Sequence, residues 1–150
     1  MAKVLVLYAS LTGSTEVMAE TISDYIKNQN HEVDFKSFDF EPIPAKELVN
    51  YDGILFGSYS WDDDIPFEVE DFYQDMDDVD LSGKLVGTFG SCDSYYDIYG
   101  PALDTLASKS EERNATIYEE KLKVELEPDD QDIEHCEKFA AGFLQQLATK

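Results

Sequence analysis

A chain of 150 residues with 43% hydrophobic and 13% aromatic content can build one domain with its own core, and is no disordered acidic tail. Thirty-three Asp and Glu against 11 Lys and Arg leave a net charge of −22. That balance repels nucleic acid and anionic membrane surfaces and attracts basic partners over long range, although solubility alone would also account for it.

Residues 2–9 read as a strand buried on both faces, because the apolar run Val4-Leu5-Val6-Leu7 is continuous instead of alternating. A helix opens at Thr15, with Met18, Ile22, Tyr25 and Ile26 on one side. Between the two lies Ser10-Leu11-Thr12-Gly13-Ser14-Thr15, which carries four hydroxyls and a glycine but no lysine or arginine. Gly13 allows close backbone approach, and the helix start presents unpaired N–H groups and a positive dipole end. Such a turn either caps its helix with hydroxyls or cradles a phosphate with neutral donors.

Asn28 to His31 breaks the helix, and Glu32 to Phe38 alternates as an edge strand would. Pro42 and Pro44 mark a loop, and residues 45–49 allow at most a short helix. Tyr51 to Ser58 is a third strand, followed by a loop with Tyr59, Ser60, the single Trp61 and the acids Asp62, Asp63 and Asp64. Phe67 to Met76 reads as a helix that turns Val69, Phe72, Tyr73 and Met76 inward.

Lys84 to Gly90 is a fourth strand, running into a polar and aromatic loop from Ser91 to Asp97 that includes Cys92, Asp93 and Tyr96. Pro101 suits the first turn of the next helix, which buries Leu103, Leu106 and Ala107. Residues 115–118 and 122–124 read as a broken fifth strand. The last helix starts at residues 128–130, with a stripe of Ile133, Cys136, Ala140, Phe143, Leu144 and Leu147. Strands and helices alternate five times in one domain, residues 1–150, which predicts an α/β, doubly wound parallel sheet of five strands.

Cys92 and Cys136 stand in no metal-ligand spacing and imply no disulfide, and His31 and His135 read as isolated surface residues, so no metal site is expected. With neither a signal peptide nor a long apolar span, a soluble cytoplasmic protein is expected.

The run Ser10-x-Thr12-Gly13-x-Thr15 behind a strand ending at Tyr8 closely resembles the phosphate loop of the flavodoxins. It is neither a Walker loop nor a Rossmann glycine motif. Gly57-Ser58-Tyr59-Ser60-Trp61-Asp62-Asp63 is similar to that family's second flavin loop, and Phe89-Gly90-Ser91-Cys92-Asp93-Ser94-Tyr95-Tyr96 to its third. The resemblance covers the whole chain and is to the short-chain members, since the strand near Thr116–Val124 lacks the insertion of long-chain ones.

The resemblance implies strand order 2-1-3-4-5, FMN as cofactor, and electron transfer between redox proteins as function. Ser10, Leu11, Thr12, Gly13, Ser14 and Thr15 would hold the phosphate, and Tyr59, Ser60, Trp61 and Asp62 would form one wall of the ring site. Tyr96 would cover the other ring face, with Asp93 accepting from the ring N3–H and the backbone of Ser91 and Cys92 addressing the pyrimidine edge. Two residues depart from the family pattern, Cys92 and Asp62, where glycine is frequent. After the stacking aromatic a positive φ is wanted on reduction, which Asp62 reaches less readily than glycine.

No catalytic acid, base or nucleophile for a separate substrate stands out, and acids in both ring loops should lower the final flavin potential. Basic redox proteins, a reductase and an acceptor, are the expected partners of a monomer. The alternative is an FMN-dependent reductase of a small molecule such as a quinone. A phosphoryl-receiving module of the same topology is disfavoured, because Tyr8-Ala9-Ser10 supplies no acid after the first strand.

Overall fold

The computed structural model describes residues 3–8, 14–37, 45–57, 72–92, 101–125 and 130–148. Five strands form one all-parallel sheet: β1 Lys3–Tyr8, β2 Glu32–Ser37, β3 Gly53–Gly57, β4 Leu85–Cys92 and β5 Thr116–Glu125, in the order β2-β1-β3-β4-β5. Among the described residues α-helices pack beside them at α1 Ser14–Asn28, α2 Pro101–Glu112 and α3 Asp130–Ala148. Residues 72–75 are also helical and tighten into a 3₁₀ turn at Met76–Asp78, and Ala45–Asn50 is a second 3₁₀ stretch.

The continuous apolar run of β1 is explained by two cores, one on each face of the sheet. Leu5 and Leu7 point into a cluster with Ile54, Phe56, Phe72, Met76 and Val86, on the side where α2 packs. Val4, Val6 and Tyr8 point the other way, into a cluster with Met18, Ile22 and Ile26 of α1 and Cys136, Phe139, Ala140 and Phe143 of α3. The i, i+4, i+8 spacing of Met18, Ile22 and Ile26 places all three on the buried side of α1, and each is fully buried. Phe139, outside the expected stripe of α3, lies in the same core against Phe89 and Tyr118.

On that second face β3 and β4 alternate glycine with bulk. The register pairs are Gly53 with Leu85, Leu55 with Gly87, and Gly57 with Phe89. A Cβ at Gly53 would come 2.9 Å from the Phe143 ring of α3, and one at Gly87 2.8 Å from Leu55 Cδ2. The missing side chains at Gly53 and Gly87 therefore let Phe143 settle against the strands.

Helices α1 and α2 end alike. Asn30 and Asn114 both have positive φ (69° and 75°), and the amides of His31 and Ala115 return to the carbonyls of Ile26 and Ser110. At the entry end of the sheet, Asp52 Oδ2 accepts from the Lys3 amide at 3.0 Å, and the Asp52 amide donates to the Lys3 carbonyl at 2.8 Å.

Two strands run further than the sequence reading, and β3 starts later, at Gly53 instead of Tyr51. The fifth strand is continuous: β4 advances from Val86 to Thr88 while β5 advances from Ile117 to Lys121, so extra β5 residues bulge from the ladder without ending it. The polar run around residues 119–121 hides a strand whose hydrogen bonds resume beyond the bulge. The fourth strand continues past Gly90 to Cys92, because Gly90, Ser91 and Cys92 pair with Lys123, Val124 and Glu125.

Candidate functional site at the carboxyl edge of the sheet

From β1 the chain crosses through α1 to β2 on one side, whereas β3 lies on the other. The switch point between β1 and β3 is where an open parallel sheet receives its ligand, beyond the carboxyl ends of the strands. Tyr8, Gly57 and Phe89 stand level there, as register partners across β1, β3 and β4. Residues 9–13 then lead into Ser14, the first residue of α1.

A 15-residue helix starting at that place brings its unpaired N–H groups and positive dipole end to the switch point. Ser14 and Thr15 belong to its first turn. No lysine or arginine lies between Ala9 and Ala19, so an anion there would be held by backbone N–H groups and hydroxyls. That donor set fits the phosphate of FMN. The backbone of Ser91 and Cys92, held on one side by β5, fits the polar edge of a flat ring.

Of the residues named from sequence, Thr15 lies in α1 as read, and Ser14, read as the last residue before the helix, is already helical. Ser91 and Cys92 are strand residues and not the start of a loop, which corrects the expected end of the fourth strand. The apolar signal of β4 stops at Phe89, but ladder bonds to β5 do not depend on apolar side chains. Ser10, Leu11, Thr12, Gly13, Tyr59, Ser60, Trp61, Asp62, Asp93 and Tyr96 lie outside the described residues.

The sequence reading overlooked one contact at this edge. A Cβ on Gly57 would sit 2.4 Å from Phe89 Cζ, so the Phe89 ring occupies the side-chain space of the last β3 residue. A glycine closing an otherwise apolar strand was the available signal.

Titratable groups with shifted behaviour lie elsewhere. Burial and a hydrogen bond to Asp34 raise the Tyr51 hydroxyl well above its ordinary value. Hydrogen bonds from the Ser82 hydroxyl and amide lower Asp80, and the Asp77 hydrogen bond raises Lys109, which also lies 4.5 Å over the Tyr73 ring. Tyr51 precedes β3, Asp80 precedes β4, and Lys109 is in the last turn of α2, all towards the entry end of the strands. Burial pushes the Cys136 thiol up to about 12. Among the described residues no cluster of three or more His, Cys, Asp or Glu could hold a metal ion, and no helix is long and apolar enough to cross a membrane.

The family model described as Flavodoxin matches residues 6–139. The Bacillus subtilis (strain 168) protein "Probable flavodoxin 1" is 39% identical over 146 residues, covering 96% of this chain and 91% of that protein. The flavodoxin of Maridesulfovibrio salexigens is 32% identical over 137 residues, covering 89% and 92%. The crystal structure of oxidised Flavodoxin 1 from Bacillus cereus superimposes with a TM-score of 0.93 at 43% identity, covering 96% of this chain and 98% of that one. Strand order, switch-point helix and these likenesses agree: the chain belongs to the flavodoxin family, with FMN as its cofactor and electron transfer as its general function.

Proposed function

We propose that this protein is a low-potential carrier that moves electrons between basic redox proteins, as a cytoplasmic monomer with no substrate turnover of its own. FMN supplies the redox chemistry when bound. Residues Ser10 to Thr15 hold its phosphate, Trp61 and Tyr96 flank its ring, Asp93 accepts from N3–H, and the backbone of Ser91 and Cys92 meets the pyrimidine edge. Tyr59, Ser60 and Asp62 complete the wall around Trp61.

The observation that carries the reading is the start of α1 at the β1/β3 switch point, without a basic residue between Ala9 and Ala19 in a chain of net charge −22. A phosphate is then the one anion met by built-in neutral donors, while fixed negative charge surrounds the site. Asp62, Asp63, Asp64, Asp93 and Asp97 oppose negative charge added to the ring, which lowers the final potential. The same acidity steers a basic partner.

The test measures reduction of the holoprotein by a basic reductase across ionic strength, beside NAD(P)H–quinone turnover without any reductase. A rate that falls steeply with salt and no turnover are expected, since screening shortens attraction to about 8 Å at physiological ionic strength. Sustained quinone turnover would instead make the protein a reductase. Within the site, Trp61→Ala is expected to weaken FMN by about 1 kcal/mol and to restore part of the flavin fluorescence. Unchanged binding and quenching would remove Trp61 from the ring site.

A further inference from the structure

From the contact between Gly57 and Phe89 we infer that these two are positioning residues for the flavin ring, because together they set where β3 and β4 deliver the two ring loops. Gly57 is the last residue of β3 and pairs in register with Phe89. Tyr59 follows two residues later in the chain, and Asp93 four residues after Phe89. Both ring segments therefore start from this one pair.

The Phe89 ring cannot swing aside. It is fully buried, in the cluster that includes Tyr8, Met18 and Phe139, and its centroid lies 6.5 Å from that of Phe139 in an edge-on contact. Interiors packed at crystal-like density do not absorb such a displacement locally. A methyl at Gly57 would meet Phe89 Cζ at 2.4 Å, where ordinary contact begins at 3.4 Å. The part that gives way is the end of β3, since β4 beyond Phe89 is still held by β5 through Ser91 and Cys92. A displaced β3 end changes the spacing between the ring segments. The phosphate end is built on β1 and α1 and meets the end of β3 at the Tyr8–Gly57 pair, so it is affected less than the ring segments.

This inference rests on the assignment of the ring to residues 59–62 and 91–96. That assignment fails separately, if Trp61→Ala leaves FMN binding unchanged. The experiment compares Gly57→Ala with Gly53→Ala, whose Cβ also meets an aromatic ring, that of Phe143, but about 13 Å away along β3. FMN dissociation is read from fluorescence recovery on diluting the holoprotein, ring environment from the visible absorption band, and stability from the thermal midpoint.

Gly57→Ala is expected to raise the dissociation constants of FMN and riboflavin together, by about tenfold, as the loss of one stacking contact would. The absorption band should shift, while competition by inorganic phosphate stays as in the parent. Gly53→Ala is expected to lower the thermal midpoint with affinity and band unmoved. Gly57→Ala combined with Phe89→Leu should recover the band in part, since the ring atoms the methyl strikes are gone. Parental affinity and band in folded Gly57→Ala would overturn the inference, as would equal flavin loss in Gly53→Ala. If Gly57→Ala does not fold, Phe89→Leu decides: a moved band supports the inference, and an unmoved band with parental affinity sinks it.

Discussion

The Tyr51 hydroxyl donates to Asp34 Oδ2 at 2.6 Å, tying the residue ahead of β3 to the edge strand β2 although β1 lies between the two strands. Lys3 Nζ lies 5.1 Å from the centroid of the Tyr51 ring, so one aromatic side chain links three neighbouring chain segments. Tyr51→Phe keeps the buried ring and removes only this bond. A loss of about 1 kcal/mol at neutral pH is expected, measured by denaturant unfolding. The hydroxyl titrates higher in the folded protein than in the unfolded chain, so its contribution is complete below pH ~10 and declines as pH rises further. The alkaline loss of stability should therefore be shallower in Tyr51→Phe, and parallel curves would assign it to other groups.

Cys136 is fully buried on the inner side of α3, and burial, followed by the charges of Asp132 and Glu137, pushes its thiol up to about 12. In the native protein it should be inert to alkylation at neutral pH and should react only as fast as the protein unfolds. Peptide mapping after timed labelling separates it from Cys92. Prompt native labelling of Cys136 would mean that α3 opens locally. The same shift lowers stability as pH climbs from the ordinary thiol value towards 12, because the unfolded thiol ionises first.

The neutral helix start at the switch point gives an expectation for affinity. FMN should bind about a hundredfold more tightly than riboflavin, or ~2.8 kcal/mol, through helix-terminal N–H groups and hydroxyls. Fluorescence titration with both flavins measures the ratio. Equal affinities would leave the hydroxyls of residues 10–15 as helix caps only.

For Asp62 the expectation concerns potential. In the proposed ring site, Asp62→Gly would remove a carboxylate and a backbone cost of about 1 kcal/mol for a positive φ. The first reduction step should move to higher potential in a potentiometric titration. An unchanged first potential would mean that neither the charge nor the backbone of Asp62 bears on that step.

The parts of this fold legible from residues alone were those with a strong period or a continuous apolar run. Val4 to Leu7 announced a strand buried on both faces, and Met18, Ile22 and Ile26 announced the inner side of α1. Polar residues inside β5 read as a break because a bulge and a true end look alike until the partner strand is known. Ser91 and Cys92 read as loop because backbone pairing, not side-chain character, extends β4. Phe139 escaped the stripe of α3 although it sits one position before Ala140, on a helix whose buried arc is wider than one row. The contact of Phe89 with Gly57 was out of reach for a different reason. Gly57 marked a place of close approach, but which residue approaches it depends on what comes opposite across two strands.

The alternation of glycine and bulk along β3 and β4 also constrains how this face can change over time. Leu55 fills space above Gly87, with Phe143 beside it, and Phe89 fills space above Gly57, so each cavity-sized volume is shared between neighbouring positions. Enlarging one member alone overfills the layer, and shrinking the other alone leaves a void, each a loss of order 1–3 kcal/mol or more. Changing both together can restore the volume. Substitutions at these four positions are therefore non-additive in pairs, 55 with 87 and 57 with 89, and viable drift on this face runs through compensated exchanges of size between neighbouring strands.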